Sequence, residues 1–149
     1  MPVIRPAGPG DVAALRAIAT AAYQKYVARI GQAPAPMTAD YAQAVRDGQA
    51  WVAVDDGEIA GFVVLVPEPG YLLLENVAVQ PAAQGRGIGA ALLAQAEDHA
   101  HDLGLREIRL YTNEAMTENL SYYPRHGYAQ THPAEQDGFR RVFFRKLIG

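Results

Sequence analysis

Three glycines alternate with other residues in Gln84-Gly85-Arg86-Gly87-Ile88-Gly89-Ala90, between a β-type run and an alanine- and leucine-rich stretch. Missing Cβ atoms let a ligand approach the backbone closely and permit positive φ angles. A helix beginning at Gly87 offers unpaired N–H groups and a partial positive charge in its first turn, a setting that suits phosphate. Arg86 could add a charge-assisted contact. Just upstream, Glu75 interrupts the otherwise apolar run Tyr71–Val79, and strand alternation puts it on a face with Val77 and Val79. A carboxylate there either pairs with a cation, for which Arg109 on the adjacent strand is the candidate, or serves as a base or amine-binding group.

The glycines alone leave several readings open. A nucleotide P-loop needs Gly-Lys-Ser/Thr at its end, and this loop ends Gly89-Ala90-Ala91. Gly85, Gly87 and Ala90 satisfy the dinucleotide fingerprint G-x-G-x-x-A. That fingerprint follows its strand at once, however, and here Gln80–Gln84 intervene in mid-chain. No acidic ribose ligand closes the next strand either, Glu114 being poorly placed. A tight turn without a ligand is the remaining reading.

The composition narrows the function classes. The 149 residues, half of them hydrophobic, suit a single domain (1–149) with a substantial core. The net charge of −3 and a pI near 5.8 argue against broad attraction to nucleic acid or anionic membrane. "FRRVFFRK" has the look of a nucleic-acid surface, but it reads as a sheet strand with a solvated face. Without cysteine there is no disulfide, thiolate zinc site or cysteine nucleophile. His101, His126 and His132 lack metal-ligand spacing, and His99 sits near the inner stripe of a helix as a structural residue. No apolar run approaches the roughly 18 residues of a membrane span, and the N-terminus lacks a signal-peptide pattern; the expected location is the cytoplasm.

The elements that must position these residues follow from periodicity and punctuation. "VIR" reads as a strand. Asp11 can cap a helix carrying Leu15, Ile18, Ala19, Ala22 and Tyr26, and Thr38 a shorter one carrying Tyr41, Ala44 and Val45. Ala50–Glu68 reads as a hairpin turning at Asp55-Asp56-Gly57. "YLLLENVAVQ" is a strand whose continuous apolar character suggests burial on both faces. A helix from about Gly87 to Leu103 has Ile88, Leu92, Ala96 and Leu103 on its inner stripe and Gly104 at its C-terminal end. "REIRLYT", a short helix near Asn119–His126, and the strands "YAQTH" and "FRRVFFRKL" around the loop "PAEQDG" complete the order. The unit Leu72–Thr112 predicts a parallel strand pair.

At this point the sequence resembles the GNAT superfamily of N-acetyltransferases. The family pattern Gln/Arg-x-x-Gly-x-Gly/Ala falls on Gln84, Gly87 and Gly89; V-x-V-x-P falls on Val77, Val79 and Pro81; the Y-x-x-x-G-F/Y ending falls on Tyr123, Gly127 and Tyr128. The element order is similar along nearly the whole chain. The resemblance implies an α/β fold with a central mixed, largely antiparallel sheet, a splayed parallel strand pair and about four flanking helices. It also implies acetyl-CoA as cofactor, with pyrophosphate on the amides of Gly85, Arg86, Gly87, Ile88, Gly89 and Ala90 and pantetheine against Val77, Ala78 and Val79. Tyr123 is implied as general acid for the leaving thiolate, with Tyr122 second. Tyr23, Tyr26, Arg29 and Tyr41, from helices that border the acceptor site in this family, are implied acceptor contacts.

Acetyl transfer needs a neutral amine. At pH 7 a lysine-like amine of pKa about 10.4 is neutral in roughly one molecule in 2,500, a deficit of about 4.6 kcal/mol. Glu75 is the candidate base, directly or through a water. The sequence departs from the family where an asparagine often stands seven residues before the tyrosine: here the residue is Met116. Asn119 shares a helix face with Tyr123 and is the expected cofactor contact instead. Pro124 keeps that helix short or kinked. The leading expectation is direct acetyl transfer to a primary amine; the alternative is a non-catalytic acyl-CoA-binding module on the same fold. The expected partner is a small-molecule or peptide amine, with no nucleic acid, membrane or metal; a homodimer is compatible with the sequence. The acceptor and the length of the acyl group stay open.

Overall fold

The computed structural model describes residues 2–136 and 139–149. Its strands are β1 (Val3–Pro6), β2 (Ala50–Asp55), β3 (Glu58–Glu68), β4 (Tyr71–Val79), β5 (Glu107–Asn113), β6 (Ala129–Gln136) and β7 (Phe139–Leu147). They form one seven-stranded sheet in the order β1-β2-β3-β4-β5-β7-β6. Every neighbouring pair is antiparallel except β4 and β5. The helices are α1 (Val12–Tyr23), the four-residue α2 (Val27–Ile30), α3 (Tyr41–Arg46), α4 (Ile88–Asp102) and α5 (Thr117–Arg125). This is the expected mixed sheet with one parallel pair.

The sheet separates two apolar cores. Leu15, Ile18 and Tyr41 of α1 and α3 pack with Val52, Phe62 and Val64 on one face, and Ile88, Leu92 and Ala96 of α4 pack with Val63, Leu65, Leu72 and Ile108 on the other. Successive β3 residues thus face opposite sides, as a period of two requires. Strand β4 does not keep that alternation. Val64 pairs with Asn76 but Leu65 pairs with Leu74, which leaves Glu75 as the extra residue of a β-bulge. Parity switches there: Leu72, Leu74, Val77 and Val79 all belong to the α4 core, while Ala78 belongs to the α1/α3 core. Glu75 therefore does not share an alternation face with Val77 and Val79, and β4 is not buried evenly on both faces.

Several boundaries differ from the sequence expectation for local reasons. Asp11 precedes α1, but its carboxylate accepts from the Gly8 N–H (2.7 Å) and pairs with Arg5. The first helix stops at Tyr23, and Tyr26 lies in a 3₁₀ turn before α2. Asp40, not Thr38, caps α3 by accepting from the Gln43 N–H at 3.0 Å. Leu103 is 45% exposed because α4 has already ended. Gly104 takes φ +72°, as expected at that helix end. Strand β6 continues through Pro133 to Gln136, which an edge strand tolerates; Asp137 and Gly138 of the expected loop lie outside the described residues.

Helix α4 reaches the sheet over Gly61. A Cβ at that position would lie 2.8 Å from the Ala78 carbonyl oxygen and 3.1 Å from both Ile88 and Leu92. Gly61→Ala should therefore destabilise by about 1–3 kcal/mol, lowering the thermal midpoint by about 3–10 °C. Circular-dichroism melting checks this, and an unchanged midpoint would contradict the close seating of α4.

Candidate functional site

Strands β4 and β5 pair only through Leu72↔Ile108 and Leu73↔Arg109. Beyond that register they diverge, and the gap continues into two chambers. A chamber of about 110 Å³ lies between Leu74–Val77 and Leu110–Asn113, lined also by Pro34, Pro36 and Arg141. A larger one, about 530 Å³, runs along Val77–Val79 to the glycine loop and the start of α4, with α5 on its other side. Tyr23, Val77, Asn119 and Tyr123 line both chambers and so mark their junction.

The three loop glycines serve different needs. Gly85 (φ +85°) and Gly87 (φ +80°) take left-handed backbone conformations, and a Cβ on either would enter open space. Conformation, rather than crowding, selects glycine there. Gly89 lies inside α4, where a Cβ would stand 2.6 Å from the Tyr122 hydroxyl. Tyr122 in turn packs against the Tyr123 and His126 rings, at 5.3 and 4.5 Å between centroids. Gln84, Gly85, Gly87, Ile88, Gly89 and Ala90 line the larger chamber, beside N–H groups that the first turn of α4 leaves unpaired. Arg86 is the exception: it is exposed, 3.7 Å from Asp55, and absent from the chamber wall.

Tyr123 is buried against Tyr128 and Phe144. Loss of water, followed by the neighbouring tyrosines, pushes its phenol above the usual range, so it stays protonated at neutral pH. Glu75 stands in the smaller chamber on the bulge. Its carboxyl is raised, first by desolvation and then by Glu68. Arg109 does not neutralise it: that guanidinium pairs with Glu107 and lies 4.1 Å from the Tyr71 ring centre. Among the described residues Glu75 has no ion pair.

A buried polar chain supports the bulge from behind. Asn76, 5% exposed, donates from Nδ2 to the Tyr41 hydroxyl at 2.6 Å, and Tyr41 donates to the Pro36 carbonyl. The Tyr23 hydroxyl lies 3.2 Å from Asn76 Oδ1 and donates to the Val77 carbonyl at 2.8 Å. Tyr41 thus belongs to the core and lines neither chamber, which corrects its expected place as an acceptor contact. Tyr26 borders the larger chamber instead of the smaller one.

Across the mouth of the larger chamber, Glu118 of α5 pairs with Arg29 (2.6 Å) and Lys25 (3.3 Å), both of which also lie over the Tyr26 ring. The Arg29 contact pulls the Glu118 carboxyl down to about 2. Asn119 donates from Nδ2 to Thr112 Oγ1 at 2.9 Å, tying α5 to the end of β5.

Residues 13–128 match the Acetyltransferase (GNAT) family. This chain belongs to that family. Its relatives include a mycothiol acetyltransferase of Cellulomonas flavigena, 38% identical over 97 residues, covering 62% of this chain and 27% of the relative. An aminoalkylphosphonate N-acetyltransferase of Salmonella typhimurium is 31% identical over 109 residues, covering 62% and 70%. The chain spans less than half the length of the first curated relatives it matches, from 27% to 48%. Among solved structures, a PaiA N-acetyltransferase of Thermoplasma acidophilum in complex with coenzyme A superposes with a TM-score of 0.81 over 99% of both chains at 20% identity, a likeness of fold.

Within this GNAT fold, the site residues singled out in the sequence gather at the two chambers, apart from Arg29, Arg86 and Tyr41. Sequence reasoning passed over Asn76, the polar residue beside Glu75 in an apolar strand, although that placement alone marks it as a buried hydrogen-bonding group. It also passed over Arg141 and the pairing of Tyr122 with Gly89, which depend on tertiary proximity.

The raised Glu75 carboxyl carries a stability signature. A carboxyl whose folded pKa exceeds its unfolded value favours folding below the unfolded pKa and loses that contribution as pH rises through the folded one. Replacing it with an uncharged amide removes the loss. Glu75→Gln should therefore raise the thermal midpoint relative to wild type at pH 7 but not at pH 4. A larger gain at pH 4 would reverse the assignment.

Proposed function

We propose that this GNAT chain transfers an acetyl group from acetyl-CoA to a primary amine. The observation that carries the reading is the position of Tyr123 at the junction of the two chambers, with Glu75 in the smaller one. The fit of the donor rests on features of this chain: a cradle of positive-φ glycines at an uncapped helix start, and a β4 edge released from β5. Both suit a pyrophosphate followed by an amide-bearing arm. Backbone groups of Val77–Val79 would hold that arm, with the Val77 carbonyl already accepting from Tyr23. Bound there, acetyl-CoA supplies an acetyl thioester.

The chain's own residues then divide the proton work. Glu75 accepts a proton from the ammonium, directly or through a water, and leaves the nitrogen lone pair free to form the new N–C bond. As the C–S bond breaks, Tyr123 donates its phenolic proton to the departing sulfur and the acylated nitrogen gives up its second proton to water; solvent then reprotonates Tyr123, and Glu75 releases the proton it took. The products are an N-acetyl amine and a free thiol, with one proton released to water. The raised Glu75 carboxyl is a stronger base than an ordinary carboxylate, and its ionised form is lost at a correspondingly higher pH. The Salmonella relative, named for an aminoalkylphosphonate, supports a small amine as acceptor. Tyr23 borders both chambers and is the assigned acceptor contact; Asn119 Oδ1 and Tyr26 are assigned to the donor side.

Thiol release from acetyl-CoA with a panel of amines tests the reading. Tyr123→Phe should lower kcat about 100-fold or more while the CoA dissociation constant changes little; equal turnover would remove Tyr123 as the acid. Glu75→Gln should lower kcat/KM most near pH 7, with the deficit shrinking as pH nears the amine pKa of about 10. A deficit independent of pH would assign Glu75 to structure alone.

Gly87→Glu adds both a side chain in a left-handed backbone position and a negative charge. CoA affinity measured by calorimetry should fall by about tenfold or more; unchanged affinity would sink the loop assignment.

A further inference from the structure

The smaller chamber holds two opposite charges from different strands. Glu75 comes from the β4 bulge and Arg141 from β7, where its backbone pairs with Asn113 of β5. Arg141 is 8% exposed, unlike its neighbour Arg140, which is exposed and pairs with Glu114. Burying a guanidinium is costly unless it is well matched with partners. Arg141 lies 4.3 Å from the centre of the Tyr111 ring, itself 5.6 Å from Phe143, a cation–π contact on an aromatic pair. The rest of the chamber wall is mixed: Pro34, Ala35, Pro36 and Ala39 are apolar, while Asn76, Thr112, Asn113 and Asn119 carry polar side chains.

We infer that the acceptor is a small aminoalkyl acid, whose amine lies at Glu75 and Tyr123 and whose oxyanion is received by Arg141. This rests on the transferase reading above and adds the acceptor's chemical class. An arginine has five N–H donors in a rigid fork, enough to keep protein partners and still bind an oxyanion through two parallel bonds. The chamber imposes complementarity at both ends: a carboxylate for the ammonium and a guanidinium for the anion. Its volume of about 110 Å³ is on the scale of a small amine. Carboxylate and phosphonate share the needed chemistry.

The test compares glycine, β-alanine, 4-aminobutyrate, aminomethylphosphonate and 2-aminoethylphosphonate with glycinamide, β-alaninamide and propylamine. Thiol release is measured for the wild type, Arg141→Gln and Arg141→Lys. Binding of each amine to CoA-saturated protein is measured by calorimetry, and thermal melting verifies that the variants fold. At least one anionic amine should exceed its neutral counterpart in kcat/KM by about 10- to 100-fold, the scale of a charge-assisted hydrogen bond. Arg141→Gln should collapse that ratio toward unity, mainly through KM, and Arg141→Lys should keep part of it. A preference for carboxylates or for phosphonates identifies the anion.

Neutral amines used as well as anionic ones, or a ratio that survives Arg141→Gln in folded protein, would overturn the inference while leaving the transferase reading intact. Arg141-dependent binding of an anionic amine without thiol release would keep the site and sink the transferase reading. Absence of both turnover and binding across the anionic amines would overturn the inference. If Arg141→Gln fails to fold, the ratio in Arg141→Lys and in the wild type decides.

Discussion

Everything at the site depends on the brevity of one strand pairing. Parallel β4 and β5 touch through two residue pairs and then separate. Each strand is still held on its other side, β4 by β3 and β5 by β7, so the gap does not close by sliding either strand. A closed sheet would satisfy these main-chain groups internally. An open one leaves them facing a cleft, where they must bond water or a ligand. The gap thus turns the middle of a sheet into a binding surface, flanked by a helix start on one side and by the side chains of β5 and β7 on the other.

The chain reinforces this opening at three places. The Asn76–Tyr41–Tyr23 hydrogen-bond chain holds the β4 bulge to the helices on one face. Asn119 ties α5 to Thr112 near the end of β5. Glu118 bridges α5 to Lys25 and Arg29 across the mouth. Each contact joins a different pair of elements, so the separation between the chambers' walls is set from several directions. The Glu118 bridge is exposed and therefore subject to screening by salt, whereas the Asn76 chain is buried and insulated from it.

Much of this was legible in the sequence because the signals were local. The glycine loop, the hairpin turn and the amphipathic α4 each announce themselves within a short window, and family resemblance supplied the mixed sheet with its splayed parallel pair. What stayed hidden involved distance. The β4 bulge appears only when β4 is laid against β3, so simple alternation misassigned Glu75 to the face of Val77 and Val79. Tyr41 was an acceptor contact only by resemblance; its packing on Phe62 and its bond to Asn76 involve other elements. Arg86 stands beside the loop glycines in sequence, and only the fold shows Asp55 of the hairpin 3.7 Å from it. Arg141 sat in a strand whose pattern suggested a solvated face, and its burial at the smaller chamber depends on elements distant in sequence.

The contact between Gly89 and Tyr122 reaches beyond geometry. Position 89 is bare because a phenol from a helix 33 residues later occupies the space a methyl group would need. A larger residue at 89 would press on that hydroxyl, so Tyr122 would have to shift or be shortened to admit it. Substitution effects at these sites are non-additive, and a glycine that looks dedicated to phosphate owes its place in part to a tyrosine.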